Sequence, residues 1–102
     1  MAEVKWSLQA LDDLEAICLF IARDAPMAAR MFASKTFEAT DKLAIMPRMG
    51  RLVPELNNET IRELILGNYR IIYHVHDALD VVEILTLHHS AKLFDWDPSP
   101  ED

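Results

Sequence analysis

The sequence predicts an α+β domain in which an N-terminal strand and a helical hairpin pack on a mainly antiparallel sheet, in the order β-α-α-β-β-β-β. Three observations predict this fold class. Apolar residues recur at helical spacing up to about Ile45. Pro47 and Gly50 then interrupt the helical pattern. The later segments are rich in β-branched and aromatic residues and are separated by short turn signals. Helices followed by consecutive strands favour a hairpin that covers one face of a sheet.

The chain begins with a short strand and a first helix. Glu3–Trp6 alternates polar and apolar side chains, which is typical of a strand. Ser7 suits the N-cap position, so we expect the helix to begin at Leu8. The three- and four-residue spacing of apolar side chains then predicts the inner face of this helix: Leu11, Leu14, Cys18 and Ile21.

A second helix is predicted from Pro26 to about Ile45. The residue before a proline is disfavoured in helical geometry, whereas proline itself suits the first turn of a new helix, so Ala25 and Pro26 mark a tight joint. Alanines around this joint would let the two helices approach closely. The predicted inner face consists of Phe32, Thr36, Ala39 and Leu43.

Four strands are predicted after the helices. Gly67-Asn68 suits a two-residue hairpin turn with glycine first, and the segment from Asp77 to Asp80 closes the next hairpin. The first strand is short and weakly indicated, whereas the other three have strong strand character. The four segments are Arg51 to Val53, Ile61–Leu66, Tyr69–His76 and Val81–His89.

Length and composition indicate one domain in residues 1–94, followed by an acidic tail in residues 95–102. The chain has 102 residues, 51% of them hydrophobic and 26% charged, which is ordinary for a globular protein. The N-terminus lacks the features of a signal peptide and no apolar run is long enough to span a bilayer, so we expect a cytoplasmic location. The formal charge of −7 argues against a protein whose whole surface binds nucleic acid. The single Cys18 is expected to be a core residue.

Short sequence motifs follow one another over roughly residues 3 to 92. In the helical half they are Trp6-Ser7, Asp13-Leu14, Ile17, Ile21-Ala22, Pro26, Ala28-Ala29, Leu43, Pro47 and Gly50-Arg51. In the strands they are Arg62-Glu63-Leu64, Tyr69-Arg70-Ile71-Ile72-Tyr73 and Ile84-Leu85-Thr86-Leu87-His88. Taken together and in this order, the motifs resemble the RelE/ParE superfamily of toxins from type II toxin–antitoxin systems.

The resemblance implies one of two activities, because the same fold serves both branches of the superfamily. ParE-type toxins poison DNA gyrase by binding it and have no known enzymatic activity, whereas RelE-type toxins cut mRNA on the ribosome. The ribonuclease branch depends on basic groups at the scissile phosphate and on a proton-transfer group. The candidates for these roles in this sequence are Arg51, Arg62, Arg70, His88 and His89.

We expect the ParE-type activity and no enzymatic function, with RelE-type cleavage as the alternative. The segment from Arg51 to Leu66 contains no lysine, and Glu59 and Glu63 would repel a polyanion. A third alternative is an inactive member that only binds its partner. The residues expected to contact the target are Arg70, His88 and Lys92. The competing interpretation of the arginines is structural, with Arg62 paired to Glu63 or Glu83 and Arg51 paired to Glu55.

The histidines do not lead us to expect a metal site. His74 and His76 share one face of a strand, and His88 and His89 end another. However, the sequence shows no second cysteine and no acidic partner at a spacing typical of metal sites. No cofactor or metal is therefore predicted.

The resemblance also implies a protein partner, a ParD-like antitoxin that forms a hetero-oligomer with the toxin. The sequence contains no DNA-binding motif, so any operator recognition should come from that partner. The helices carry more apolar residues than one inner face uses, and an amphipathic antitoxin segment is expected to bind this surplus. The predicted antitoxin-binding residues are Leu19, Phe20, Met27, Met31, Phe37, Phe94 and Trp96.

Overall fold

The computed structural model describes residues 1–95 and confirms two helices packed on a five-stranded mixed sheet. The strand order is β1-β5-β4-β3-β2, with β1 parallel to β5 and every other neighbouring pair antiparallel. Short 3-10 turns follow α2 (Lys42–Ala44) and β4 (Asp77–Leu79). The elements are β1 (Glu3–Trp6), α1 (Leu8–Ala22), α2 (Pro26–Asp41), β2 (Arg51–Leu52), β3 (Ile61–Leu66), β4 (Tyr69–His76) and β5 (Val81–His89). Within residues 1–95, no helix is both long enough and apolar enough to cross a membrane.

Helix α1 begins as predicted, with Ser7 as its N-cap. The Ser7 hydroxyl accepts a hydrogen bond from the Ala10 N–H at 3.0 Å and donates one to the Leu85 carbonyl at 2.9 Å. The cap therefore also ties the helix to β5. The prediction that Leu11 faces inward is wrong, because Leu11 is exposed and the neighbouring Ala10 is fully buried against the sheet.

Helix α2 is shorter than predicted, because the regular helix ends at Asp41 and the chain tightens into a 3-10 turn before Ile45. Of the four residues predicted for its inner face, Thr36 in the helix and Leu43 in the 3-10 turn are fully buried, whereas Phe32 and Ala39 are only half-buried. The Thr36 hydroxyl donates to the Phe32 carbonyl at 2.8 Å, so its burial leaves the hydroxyl group satisfied.

Both faces of the sheet carry buried apolar side chains. On the helix face, Tyr73 and Ile71 of β4 pack with Leu14 and Leu43. On the opposite face, Ile72 packs with two residues that flank the segment after β2, Val53 and Ile61. Because this segment covers part of the second face, polar side chains that point to that face can also become buried.

The turns between β3, β4 and β5 follow the predicted chemistry. Gly67 has φ +59°, a left-handed conformation that glycine adopts without steric cost, and Gly67-Asn68 forms the predicted hairpin turn. The next turn closes at Asp80, which also has a positive φ of 53°. The turns fix the registers of β3, β4 and β5, and these registers place the candidate site residues.

Candidate functional site

Arg70 is the centre of a buried ionic cluster on the sheet face that points away from the helices. Only 3% of the residue is exposed. Its Nε donates to Glu63 Oε1 at 2.6 Å, while Nη1 and Nη2 donate to the two carboxylate oxygens of Glu55 at 2.5 and 2.8 Å. Nη1 also donates to the Lys92 carbonyl at 2.9 Å. The guanidinium is therefore bound within the fold by two carboxylates and a backbone oxygen.

Glu63 bridges two arginines. It lies opposite Arg51 in the β2–β3 register, and its Oε2 accepts from Arg51 Nε at 2.5 Å. The Glu63 side chain is fully buried, whereas 59% of the Arg51 side chain is exposed. The cluster thus combines two cations and two anions, which we define as the Arg70 cluster: Arg51, Glu55, Glu63 and Arg70.

Glu55 fixes the segment after β2 to the sheet. Its hydrogen bonds from Arg70 lower its pKa from 4.5 to about 2, and the Phe94 N–H, which donates to Oε2 at 2.7 Å, acts in the same direction. The same contacts raise the pKa of Arg70. The cluster therefore holds together β4, the segment after β2 and the chain that follows β5.

The predictions that Arg62 pairs with Glu63 or Glu83 and that Arg51 pairs with Glu55 are wrong. Arg62 follows the strand alternation and points to the face opposite Glu63, so these neighbours cannot pair. Instead, Arg62 Nη1 donates to the Gly50 carbonyl at 3.0 Å and Nε donates to the Glu59 carbonyl at 3.2 Å. Arg51 pairs with Glu63 rather than Glu55, because Glu55 is taken by Arg70.

His88 lies opposite Arg70 in the β4–β5 register. Its ring stacks on Phe94 with centroids 6.0 Å apart, and its Nε2 is buried without a hydrogen-bond partner among residues 1–95. His89 is exposed, and its Nδ1 accepts from the Ala91 N–H at 3.1 Å. The two histidines therefore end β5 in different environments.

His88 and Lys92 line an open groove of about 620 Å³ beside the end of β5. Asp13 of α1 also lines this groove, where it accepts hydrogen bonds from the Thr86 hydroxyl and the Leu87 N–H. Two of the three predicted target contacts are thus accessible together. The third, Arg70, is buried, so the prediction that its side chain contacts a target does not agree with this structure.

The apolar residues predicted to bind an antitoxin are mostly exposed on the helices. The exposed fractions of Leu19, Phe20, Met27 and Met31 range from 53% to 68%. Phe37 is 42% exposed but also packs on Trp6, with ring centroids 5.1 Å apart. Phe94 is half-buried beside the second core, and Trp96 lies outside the described residues.

Two of these exposed residues, Met31 and Leu19, line separate grooves. Met31 lines a groove of about 330 Å³ between the helices and the β3–β4 hairpin, together with Phe32 and Tyr69. Leu19 lines a second groove of about 360 Å³ between α1 and α2, beside Pro26. The apolar surface is therefore divided by the packing of the hairpin.

The sequence analysis named three acidic residues but did not predict the partners that they have in the fold. Glu55 and Glu63 neutralise Arg70, and Glu83 of β5 lies directly opposite His74 of β4. No acidic residue lies at a sequence spacing typical of metal sites, but the β4–β5 register brings Glu83 beside His74 and His76. A signal for Glu63 was available, because it lies between Ile61 and Ile65 on one strand face, where a charged residue needs a partner if that face is buried.

The comparisons with known proteins agree with the fold. The family model described as "ParE toxin of type II toxin-antitoxin system, parDE" matches residues 4–94. The toxin RelE2 of Caulobacter vibrioides is 40% identical over 94 residues, which cover 91% of this chain and 100% of that protein.

Two solved structures share the architecture. A chromosomal ParDE toxin–antitoxin system from P. aeruginosa superposes with a TM-score of 0.71 at 22% identity, covering 87% of this chain and 96% of the other. The intact E. coli RelBE toxin–antitoxin complex superposes with a TM-score of 0.58 at 17% identity, with coverages of 87% and 96%. The family match and the identity to a curated toxin, together with the shared fold, show that this chain belongs to the ParE toxin family of type II toxin–antitoxin systems.

Proposed function

We propose that this toxin acts by binding DNA gyrase and has no ribonuclease activity. The observation that carries this proposal is the burial of Arg70 between Glu55 and Glu63. A ribonuclease of this fold needs basic groups that can meet the charge developing on the scissile phosphate. Here the most central arginine of the sheet already holds two carboxylates, and separating them would leave buried charges without partners.

The surroundings of the other candidate residues support the same conclusion. Arg62 donates to backbone carbonyls, and Asp13 adds a carboxylate to the groove that contains His88 and Lys92. A carboxylate in the groove raises the electrostatic cost of bringing RNA phosphates close to His88. A protein target does not require such a dense positive surface.

The alternative is ribosome-dependent mRNA cleavage of the RelE type. The observation that favours it is the buried Nε2 of His88, which has no hydrogen-bond partner among residues 1–95 and is a proton-transfer candidate. The similarity to a curated toxin named RelE2 points in the same direction.

Expression of the toxin in cells that lack the antitoxin separates the two activities. We expect growth arrest, a shift of a reporter plasmid towards relaxed topoisomers, and intact translated mRNA. Cleavage of translated mRNA with normal plasmid supercoiling would establish the RelE-type activity instead. Absence of growth arrest would indicate an inactive member.

A ParD-like antitoxin is the proposed partner, bound as a hetero-oligomer in the cytoplasm. The P. aeruginosa and E. coli relatives are described as a toxin–antitoxin system and a toxin–antitoxin complex. In this chain Met27, Met31 and Phe20 offer exposed apolar area, and burial of such area stabilises a complex by about 25 cal/mol per Å² before the costs of association. Any DNA recognition by the complex is assigned to the antitoxin.

Co-purification with the antitoxin tests this surface. Met31→Glu places a charge in the groove beside the hairpin, and we expect it to abolish co-purification while the circular dichroism spectrum stays unchanged. Leu8→Glu is a matched control, because Leu8 is also exposed on a helix but lies outside the proposed surface. Retention of the antitoxin by Met31→Glu and by Phe20→Glu would exclude this docking surface.

A further inference from the structure

Two histidines and a glutamate meet on the sheet face that points away from the helices. His74 and His76 are two residues apart on β4, so both side chains point to the same face, and their ring centroids lie 3.9 Å apart. Glu83 of β5 lies opposite His74 in the register, and its Oε1 is 3.1 Å from Nε2 of His76. The three residues come from adjacent strands of a fixed sheet, so their backbone positions are set before any ligand arrives.

The spacing of this cluster suits one small metal ion. One ligand atom from each residue can be chosen so that all three lie within 4.8 Å of one another. Tetrahedral zinc with bonds of about 2.1 Å separates its ligand atoms by about 3.4 Å. Side-chain rotations of His74 and His76 would bring the ligand atoms from separations of up to 4.8 Å to about 3.4 Å without moving the strands. We propose that His74, His76 and Glu83 form a binding site for one divalent transition-metal ion of the zinc class.

The ligand set determines which ions this site would select. Two imidazoles and one carboxylate favour Zn²⁺, Ni²⁺ or Cu²⁺, whereas Mg²⁺ and Ca²⁺ prefer oxygen ligands. Three protein ligands would leave one coordination position open to water or to a group from a partner. The site is half-buried at all three residues, so an ion can enter from solvent.

The charged residues next to the cluster have partners of opposite charge within the fold. Burial, and then the neighbouring His76, lower the pKa of His74. Lys5 lies beside Glu83 in the β1–β5 register, but its Nζ is 3.8 Å from the Glu3 carboxylate. Asp77, which follows His76, is held by Arg48 in two hydrogen bonds of 2.8 Å. The neighbouring charges are therefore paired with one another.

Calorimetric titration of the tag-free toxin with Zn²⁺ tests the site, with Mg²⁺ as the control ion. We expect one Zn²⁺ per chain, no heat of binding with Mg²⁺, and a higher melting temperature in excess Zn²⁺. His76→Gln and Glu83→Gln should each weaken Zn²⁺ binding at least about tenfold, because each removes a ligand. His89→Gln should bind like the wild type, since it removes an exposed histidine outside the cluster.

The outcomes that would overturn the site are specific. Absence of Zn²⁺ binding by the wild-type chain would show that the His76–Glu83 contact is an ordinary polar pair. Binding that survives both His76→Gln and Glu83→Gln would place the ion elsewhere. Thermal unfolding without metal should show that both variants are folded, and if one is not, the other still gives the result.

Discussion

Replacement of Glu63 by Gln should destabilise the protein strongly, because Glu63 is the buried anion shared by two arginines. The substitution keeps the shape of the side chain but removes its charge, and it presents an amide N–H₂ to a guanidinium donor. Loss of the Arg51 contact contributes little, since 59% of that side chain is exposed. Loss of the Arg70 contact weighs more, because only 4% of the Arg70 side chain is exposed.

Removal of one partner from a buried ion pair costs about 3 to 5 kcal/mol. Arg70 keeps its two bonds to Glu55, so we expect the lower end, about 3 kcal/mol. For a domain of this size, such a loss lowers the melting temperature by about 12 °C or more. It is also a large part of a total stability of about 5–15 kcal/mol.

Urea unfolding followed by circular dichroism measures this loss. Glu59→Gln is the matched control, because Glu59 is exposed and only its backbone carbonyl accepts a bond from Arg62. That control should stay within about 0.5 kcal/mol of the wild type. A Glu63→Gln protein as stable as the Glu59→Gln protein would refute the view that the Arg70 cluster holds the sheet face together.

Two further predictions concern the Glu55 carboxylate and the buried Tyr73 hydroxyl. The pKa of Glu55 is lowered to about 2 in the folded protein from an ordinary value of 4.5, so its contribution to stability is complete above pH 4.5 and is lost as the pH falls towards 2. Between about pH 6 and about pH 3, the free energy of unfolding should therefore fall more in the wild type than in Glu55→Gln. Urea titrations at both pH values measure this fall, and an equal fall in the two proteins would contradict the prediction. Tyr73→Phe should cost about 1–3 kcal/mol, because the buried Gly50 N–H donates to the Tyr73 hydroxyl at 2.9 Å and would lose its acceptor. Tyr69→Phe, at a half-buried site, is the control in thermal unfolding, and an equal effect of both substitutions would argue against this role of the hydrogen bond.

The order and type of the elements could be predicted from the sequence because local chemistry determines them. Ser7 caps α1, Pro26 begins α2, and Gly67 takes the left-handed conformation in the first strong hairpin. Each of these features depends on one residue and its immediate neighbours. The same reasoning failed at Leu11, where two adjacent apolar residues compete for the inner face and packing against the sheet decides which is buried.

The ionic contacts of the site could not be predicted, because they depend on strand register and on a long covering segment. Glu55 reaches Arg70 only after the segment following β2 folds across the sheet, which local sequence patterns do not specify. The alternation of β3 was sufficient to show that Arg62 and Glu63 point to opposite faces. The partner of Glu63 required the register with β2.

Supercoiling of relaxed plasmid DNA by purified gyrase, measured with increasing amounts of purified toxin, tests the proposed function most directly. We expect the toxin to inhibit supercoiling, and we expect a molar excess of the antitoxin to restore it. Full supercoiling at every toxin concentration, together with toxin-dependent cleavage of mRNA on translating ribosomes, would contradict the proposal and assign the toxin to the RelE-type activity.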